Sequence, residues 1–190
     1  GVPLYGQFIN TVTRGARLGK FYLRSAPTGV GKTRSMVADA CYISCTEYYD
    51  EQFGWISNGK SFPTLFIATE QDLDEVQTLV LAYLTGFNEE KILYSNYNEE
   101  EYKVLQQALK VMKTYEQNLF IVRLSNPNIE QIKAVVRQHC ILYDIDNVFY
   151  DYIFSSPSLL NEFRDLRIRE DVALMMLSTA LKDLAVELDV

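Results

Sequence analysis

Ala26-Pro27-Thr28-Gly29-Val30-Gly31-Lys32-Thr33 decides how the rest of the chain reads. It follows a short β-type run, Phe21-Tyr22-Leu23-Arg24-Ser25. It precedes residues with helical spacing, Met36, Val37, Ala40 and Ile43, on a helix that the pattern carries towards Tyr48. A glycine-rich turn between strand and helix, closed by Lys-Thr, has a mechanical meaning. Glycines let the backbone curl so that successive N–H groups face phosphate oxygens, and the helix N-terminus adds the positive end of its dipole. Lys32 is then placed to reach the β- and γ-phosphates of ATP, and the Thr33 hydroxyl to sit on Mg²⁺. Ala26 stands where the pattern usually begins with glycine; that position needs a small residue more than a positive φ. The expected nucleotide-binding residues are Ala26, Pro27, Thr28, Gly29, Val30, Gly31, Lys32, Thr33 and Arg34.

Outward from this loop, apolar runs alternate with helical patterns. Residues 64–69, Thr-Leu-Phe-Ile-Ala-Thr, form a continuous apolar run between Pro63 and Glu70, as expected for a strand buried on both faces. Asp72 can cap a helix carrying Val76, Leu79, Val80 and Tyr83 up to Gly86. Asn98, with Glu101 three residues on, opens a helix over 98–117. Residues 119–123 read as a short strand, and Asn128 caps a helix with Ile132, Val135 and Val136. Residues 147–154 give the next apolar strand, followed by a polar stretch over 155–167. A last helix carries Val172, Met175, Met176 and Leu184 on its expected inner face. The first twenty residues read as a turn-rich lead-in, and 50–63 as a loop. Alternating strands and helices with nearly all-apolar strands predict an α/β fold, a mostly parallel sheet with helices on both faces. Residues 1–190 read as one domain. Since the alternation calls for a further strand after the last helix, the sequence reads as truncated at its C-terminal end.

Nucleotide hydrolysis needs an acid near the metal and a carboxylate that orients the attacking water. Open α/β sheets gather such groups at the carboxyl ends of their strands. Asp151 ends the apolar run Asn147-Val148-Phe149-Tyr150 and is the expected Mg²⁺-shell acid, with Thr33 as the other metal residue. Glu70 directly follows the strand over 64–69 and is the expected general base; Gln71, Asp72 and Asp74 compete for the role from further along. Lys32 and Glu70 are the expected catalytic pair.

Composition narrows the classes. Hydrophobic residues make up 48% of the 190, enough for one sizeable core. No apolar run reaches the roughly 18–20 residues that span a bilayer. No signal-peptide pattern opens the chain, so a soluble, cytoplasmic protein without membrane contact is expected. Cys41, Cys45 and Cys140, with His139 as the lone histidine, lack metal-site spacing and are expected to be buried, reduced thiols. A net charge of −7 argues against broad nucleic-acid affinity, though not against a local basic channel.

The order of these segments resembles the C-terminal motor domain of the DnaB family of replicative helicases, within the RecA-like P-loop NTPases. Gly1-Val2-Pro3-Leu4-Tyr5-Gly6 and Thr13-Arg14-Gly15-Ala16-Arg17-Leu18-Gly19 resemble that family's approach to its phosphate loop. Phe66-Ile67-Ala68-Thr69-Glu70 resembles its strand ending in a catalytic glutamate, and Phe149-Tyr150-Asp151-Tyr152-Ile153 its Walker B strand. Leu181-Lys182-Asp183-Leu184-Ala185-Val186-Glu187-Leu188 resembles the helix that follows. The resemblance implies a hexameric ring, ATP held between neighbouring subunits, single-stranded DNA through the centre, and a primase or loader as partner. It also implies that a sensor strand, a DNA-contacting loop and an arginine finger lie outside this sequence, so that the fragment alone is expected to hydrolyse ATP poorly or not at all.

In RecA-like motors the loop after Walker B faces the central channel. Residues 155–169 contain Arg164, Arg167 and Arg169, the expected DNA contacts, where arginines serve as salt-dependent phosphate anchors. Glu162, Asp165, Glu170 and Asp171 interleave them and could pair with them instead. The main expectation is an ATP-hydrolysing DNA helicase motor translocating on single-stranded DNA. Two other readings stay open: a RecA-like ATPase that is not a helicase, such as a recombination mediator or loader, and a regulatory ATP-binding module.

Overall fold

The computed structural model describes residues 1–114, 118–154, 156–164 and 168–190. Five strands are described: β1 (Glu47–Asp50), β2 (Gly54–Ser57), β3 (Thr64–Ala68), β4 (Leu119–Arg123) and β5 (Asn147–Asp151). The helices are α1 (Gln7–Thr13), α2 (Lys32–Ser44), α3 (Leu73–Thr85), α4 (Glu89–Tyr94), α5 (Glu99–Thr114), α6 (Ile129–Tyr143), α7 (Pro157–Glu162) and α8 (Glu170–Leu188).

Strands β4, β3 and β5 form a parallel sheet in that spatial order, with β3 in the middle. Every residue of β3 is buried, because both of its faces are covered. Phe66 and Ala68 point to one side, where Val37, Ala40 and Cys41 of α2, Val76, Val80 and Leu84 of α3, and Ala108 and Val111 of α5 pack. Leu65 and Ile67 point to the other, against Ile132 and Val136 of α6, Leu159 of α7, and Leu177 and Leu184 of α8. The period-two alternation of a strand thus divides one apolar run between two cores. The architecture is the α/β fold with a parallel sheet between helices that the sequence predicts.

Helix boundaries follow capping chemistry. Ahead of α3, the Glu75 carboxylate accepts from Asp72 N at 3.1 Å, and Gly86 ends the helix in the left-handed region at φ 72°. Asn98 Oδ1 accepts from Glu101 N at 2.9 Å ahead of α5, and Asn128 Oδ1 from Gln131 N at 2.8 Å ahead of α6. The expected end of α5 at 117 lies outside the described residues.

Several expectations are corrected. Residues 21–25 belong to neither edge of the sheet. A strand exists only where another strand's edge takes up its backbone groups; here Tyr22 and Leu23 are exposed, and Arg24 turns its guanidinium to α2. The lead-in contains α1, braced by Asn10, whose side chain both donates to Leu4 O and accepts from Leu4 N at 2.6 Å. Within 50–63 lies the second half of an antiparallel hairpin, β1 with β2, in which Tyr49 pairs with Trp55. Asp50 Oδ1 closes its turn by accepting from Gln52 N and Phe53 N. The helix α2 ends at Ser44 rather than near Tyr48, because Cys45 turns to extended backbone on the way into β1. β5 stops at Asp151, short of 154. The polar stretch after it contains α7, opened by Pro157 with the Ser156 hydroxyl accepting from Leu159 N at 3.0 Å. On α8 the buried residues are Ala173, Leu177, Leu184 and Ala185, while Met175 faces solvent. Leu184 is buried as expected, whereas Val172 and Met176 sit one residue before the buried Ala173 and Leu177, because the apolar stripe is too broad for spacing alone to fix its centre. Cys41 and Cys45 are buried and free as expected, but Cys140 is half-buried.

Candidate functional site

Level register places the carboxyl ends of the three parallel strands side by side, with Ala68 paired to Arg123 on one flank and to Asp151 on the other. Thr69 knits β3 to β5 just beyond. Its N–H and hydroxyl donate to Asp151 O at 2.9 and 3.0 Å, and its oxygen accepts from Tyr152 N at 3.0 Å. Glu70 and Tyr152 leave the sheet from this point, Glu70 exposed.

The glycine loop faces the same end. Gly29 and Gly31 hold φ at 80° and 85°, and a Cβ at either would meet no atom within 4 Å. The requirement for glycine here is conformational, since L side chains rarely adopt that backbone. Gly31 is also the N-cap of α2, where no side chain satisfies the helix's first N–H groups. A helix start without a side-chain cap leaves its donors and the positive dipole end for another acceptor. Lys32, the first residue of α2, extends its ammonium to 5.5 Å from the centroid of the Tyr152 ring.

Asp151 joins these parts. It is 5% exposed, and the Thr33 hydroxyl lies close enough to influence its carboxyl. Burial is the largest influence and pushes the carboxyl above its ordinary range; the Thr33 hydroxyl lowers it, the nearby Glu70 charge raises it, and Lys32 lowers it. Lys32, Thr33 and Glu70 therefore each lie within electrostatic reach of Asp151. A buried carboxylate beside a second acid is a site that gains from a cation. Among the described residues there is no group of three His, Cys, Asp or Glu side chains that could hold a metal. One hydroxyl and one carboxylate suit Mg²⁺, which keeps several waters and takes its other ligands from phosphates.

Sequence reasoning passed over three contributors. Tyr152 supplies the ring beside Lys32, and Thr69 the strand bridge. Arg123, at the end of β4, pairs with Asp72 at 3.0 Å and donates to Glu70 O at 3.5 Å, bracing the turn that carries Glu70. An arginine ending an apolar strand level with Asp151 was the signal for it. Beside Glu70, Gln71 Oε1 is buried without a hydrogen-bond partner among the described residues. Of the expected DNA contacts, Arg164 is exposed just after α7. Arg169 forks onto Asp171 at 3.0 and 2.7 Å, the acid pairing that the interleaved sequence allowed. Arg167 lies outside the described residues.

A parallel sheet with a glycine loop, lysine, hydroxyl and two acids at its carboxyl end defines a P-loop type of α/β domain. The model of the DnaB-like helicase C terminal domain family matches residues 1–190, and the chain belongs to that family. A curated relative from Bacillus subtilis (strain 168), the SPbeta prophage-derived uncharacterized protein YorI, is 40% identical over 194 residues, covering 100% of this chain and 38% of that protein. A solved structure of a DnaB-like replicative helicase and its interactions with primase matches with a TM-score of 0.75 at 19% identity, covering 100% of this chain and 41% of that one. That likeness shows the fold. The chain spans about two-fifths of the length of these relatives. Among the described residues no helix is long and apolar enough to cross a membrane.

Proposed function

We propose that this chain is the ATP-hydrolysing motor domain of a replicative-type DNA helicase that moves along single-stranded DNA as a homo-hexameric ring in the cytoplasm, with residues 1–190 acting as one RecA-like domain. The observation that carries this reading is the convergence of Lys32, Thr33, Glu70 and Asp151 on one end of the sheet. Ala26 to Arg34 would wrap the triphosphate: backbone N–H groups around Gly29 and Gly31 would donate to its oxygens and Lys32 would neutralise the β- and γ-oxygens. Thr33 and Asp151 would hold Mg²⁺, which supplies positive charge against the phosphate oxygens when bound. Glu70, exposed at the end of β3 and braced by Arg123, orients and deprotonates the attacking water. Tyr152 keeps the Lys32 ammonium directed into the cradle.

For DNA, the exposed Arg164 and the neighbouring Arg167 are the proposed phosphate contacts, with Arg169 available once it leaves Asp171. A primase or loader is the proposed protein partner, a reading supported by the primase interactions of the DnaB-like neighbour. The test is ATPase activity of the full-length protein with and without single-stranded DNA. Turnover that rises with DNA, together with strand displacement, supports the motor. Nucleotide binding without turnover would place the domain among regulatory modules instead.

A further inference from the structure

Behind the phosphate loop stands a polar construction that the hydrolytic reading leaves unused. Asp39 on α2 is 2% exposed, yet its carboxylate holds two distant segments. Oδ1 accepts from Tyr5 N at 2.8 Å, and Oδ2 accepts from Arg24 Nη2 at 2.5 Å. The other arm of the same guanidinium, Nη1, donates to Ser35 Oγ at 2.7 Å, and Ser35 Oγ donates to Lys32 O at 2.9 Å. Arg24 lies before the loop, whereas Lys32, Ser35 and Asp39 lie on the helix that leaves it. One side chain therefore clasps both ends of residues 25–31 together. Little else holds that stretch: it is outside the sheet and almost wholly exposed, and its glycines have nothing packed where a side chain would be.

We propose that Arg24 and Asp39 form a positioning pair that sets the shape of the phosphate loop and the placement of Lys32 before nucleotide arrives; this rests on the nucleotide-binding reading above. A glycine loop samples many shapes, and binding has to remove that freedom. Tying its ends shortens the list in advance. The fork of arginine suits the task, because it can hold a buried carboxylate and a hydroxyl at once, which a lysine ammonium does with poorer geometry. Burial raises the Asp39 carboxyl, while the Arg24 charge and hydrogen bond, and then the Tyr5 N–H, draw it back.

The test is calorimetric titration of ATP and of ADP, each with Mg²⁺, into the intact protein and its Arg24→Gln, Arg24→Lys and Ser35→Ala variants, with melting temperatures taken without nucleotide. ADP is included because its β-phosphate also occupies the loop. The expected result is that Arg24→Gln weakens both nucleotides together by about tenfold and Ser35→Ala by about threefold, with Arg24→Lys recovering part of the loss. Ser35→Ala removes one hydroxyl and keeps the melting temperature, so its effect reads positioning rather than folding. Unchanged affinities in both Ser35→Ala and Arg24→Lys would overturn the pair's role, whether or not Arg24→Gln folds. Wild-type protein that takes up neither nucleotide would remove the nucleotide reading itself, a separate failure.

Discussion

The Thr33 side chain lies close enough to the Asp151 carboxylate to lower its pKa, bringing the first turn of α2 to the end of β5. These residues are far apart in sequence, and each was a separate expectation from its own motif. Their proximity ties the phosphate loop to the acid-bearing end of the sheet.

Asp151 gives a pH-dependent prediction. Its folded carboxyl titrates above the ordinary 3.8, so the folded state holds this proton more tightly than the unfolded chain does. The contribution to stability is therefore fully present below pH 3.8 and is lost as pH rises through the folded value. Asp151→Asn keeps a polar side chain beside Thr33 without the buried charge. In metal-free buffer the variant should be at least as stable as wild type at neutral pH, the two converging towards acid. Thermal melts across pH check this; a clearly less stable variant at pH 7 would contradict it. Mg²⁺-dependent nucleotide affinity should fall in the same variant.

Glu70→Gln should bind ATP as wild type does, because the role proposed for Glu70 is on the attacking water and not on the phosphates. Its turnover in the full-length protein should drop by a factor on the order of 10²–10⁴. Steady-state ATPase rates beside a binding titration make the comparison, and undiminished turnover would remove Glu70 from its role.

Thr69→Val retains shape but deletes the oxygen that donates to Asp151 O and accepts from Tyr152 N. Leaving buried partners unmet costs about 1–3 kcal/mol. Urea unfolding should show that loss, accompanied by weaker nucleotide binding as Tyr152 loses its anchor.

Phe66→Ala removes the largest side chain of β3, 1% exposed and stacked on Phe149 at 6.3 Å between centroids. A loss of about 3–5 kcal/mol is expected in denaturant unfolding, from lost transfer energy and the cavity left behind.

What was legible in the sequence depended on how local the cause was. β4 fell at residues 119–123 as read, and Asp72, Gly86, Asn98 and Asn128 marked helix ends because capping is settled within three or four residues. The positions of Glu70 and Asp151 were legible for a related reason, since they lie at or just past the ends of β3 and β5, and that of the loop was legible from its own glycines ahead of α2. Residues 21–25 misled because β-propensity does not say which edge is open to a strand. The hairpin β1–β2 was hidden by polar, glycine-bearing residues that look like loop until Tyr49 meets Trp55. Tyr152, Arg123 and the Arg24–Asp39 pair depend on neighbours brought together only by folding.

The central claim is that the glycine loop and Lys32 receive a triphosphate, and calorimetry of Mg²⁺-ATP into wild type and Lys32→Ala tests it most directly. Saturable uptake by wild type, lost in a Lys32→Ala variant that melts at the wild-type temperature, is the predicted result. Equal uptake by both proteins, or none by wild type, would contradict it.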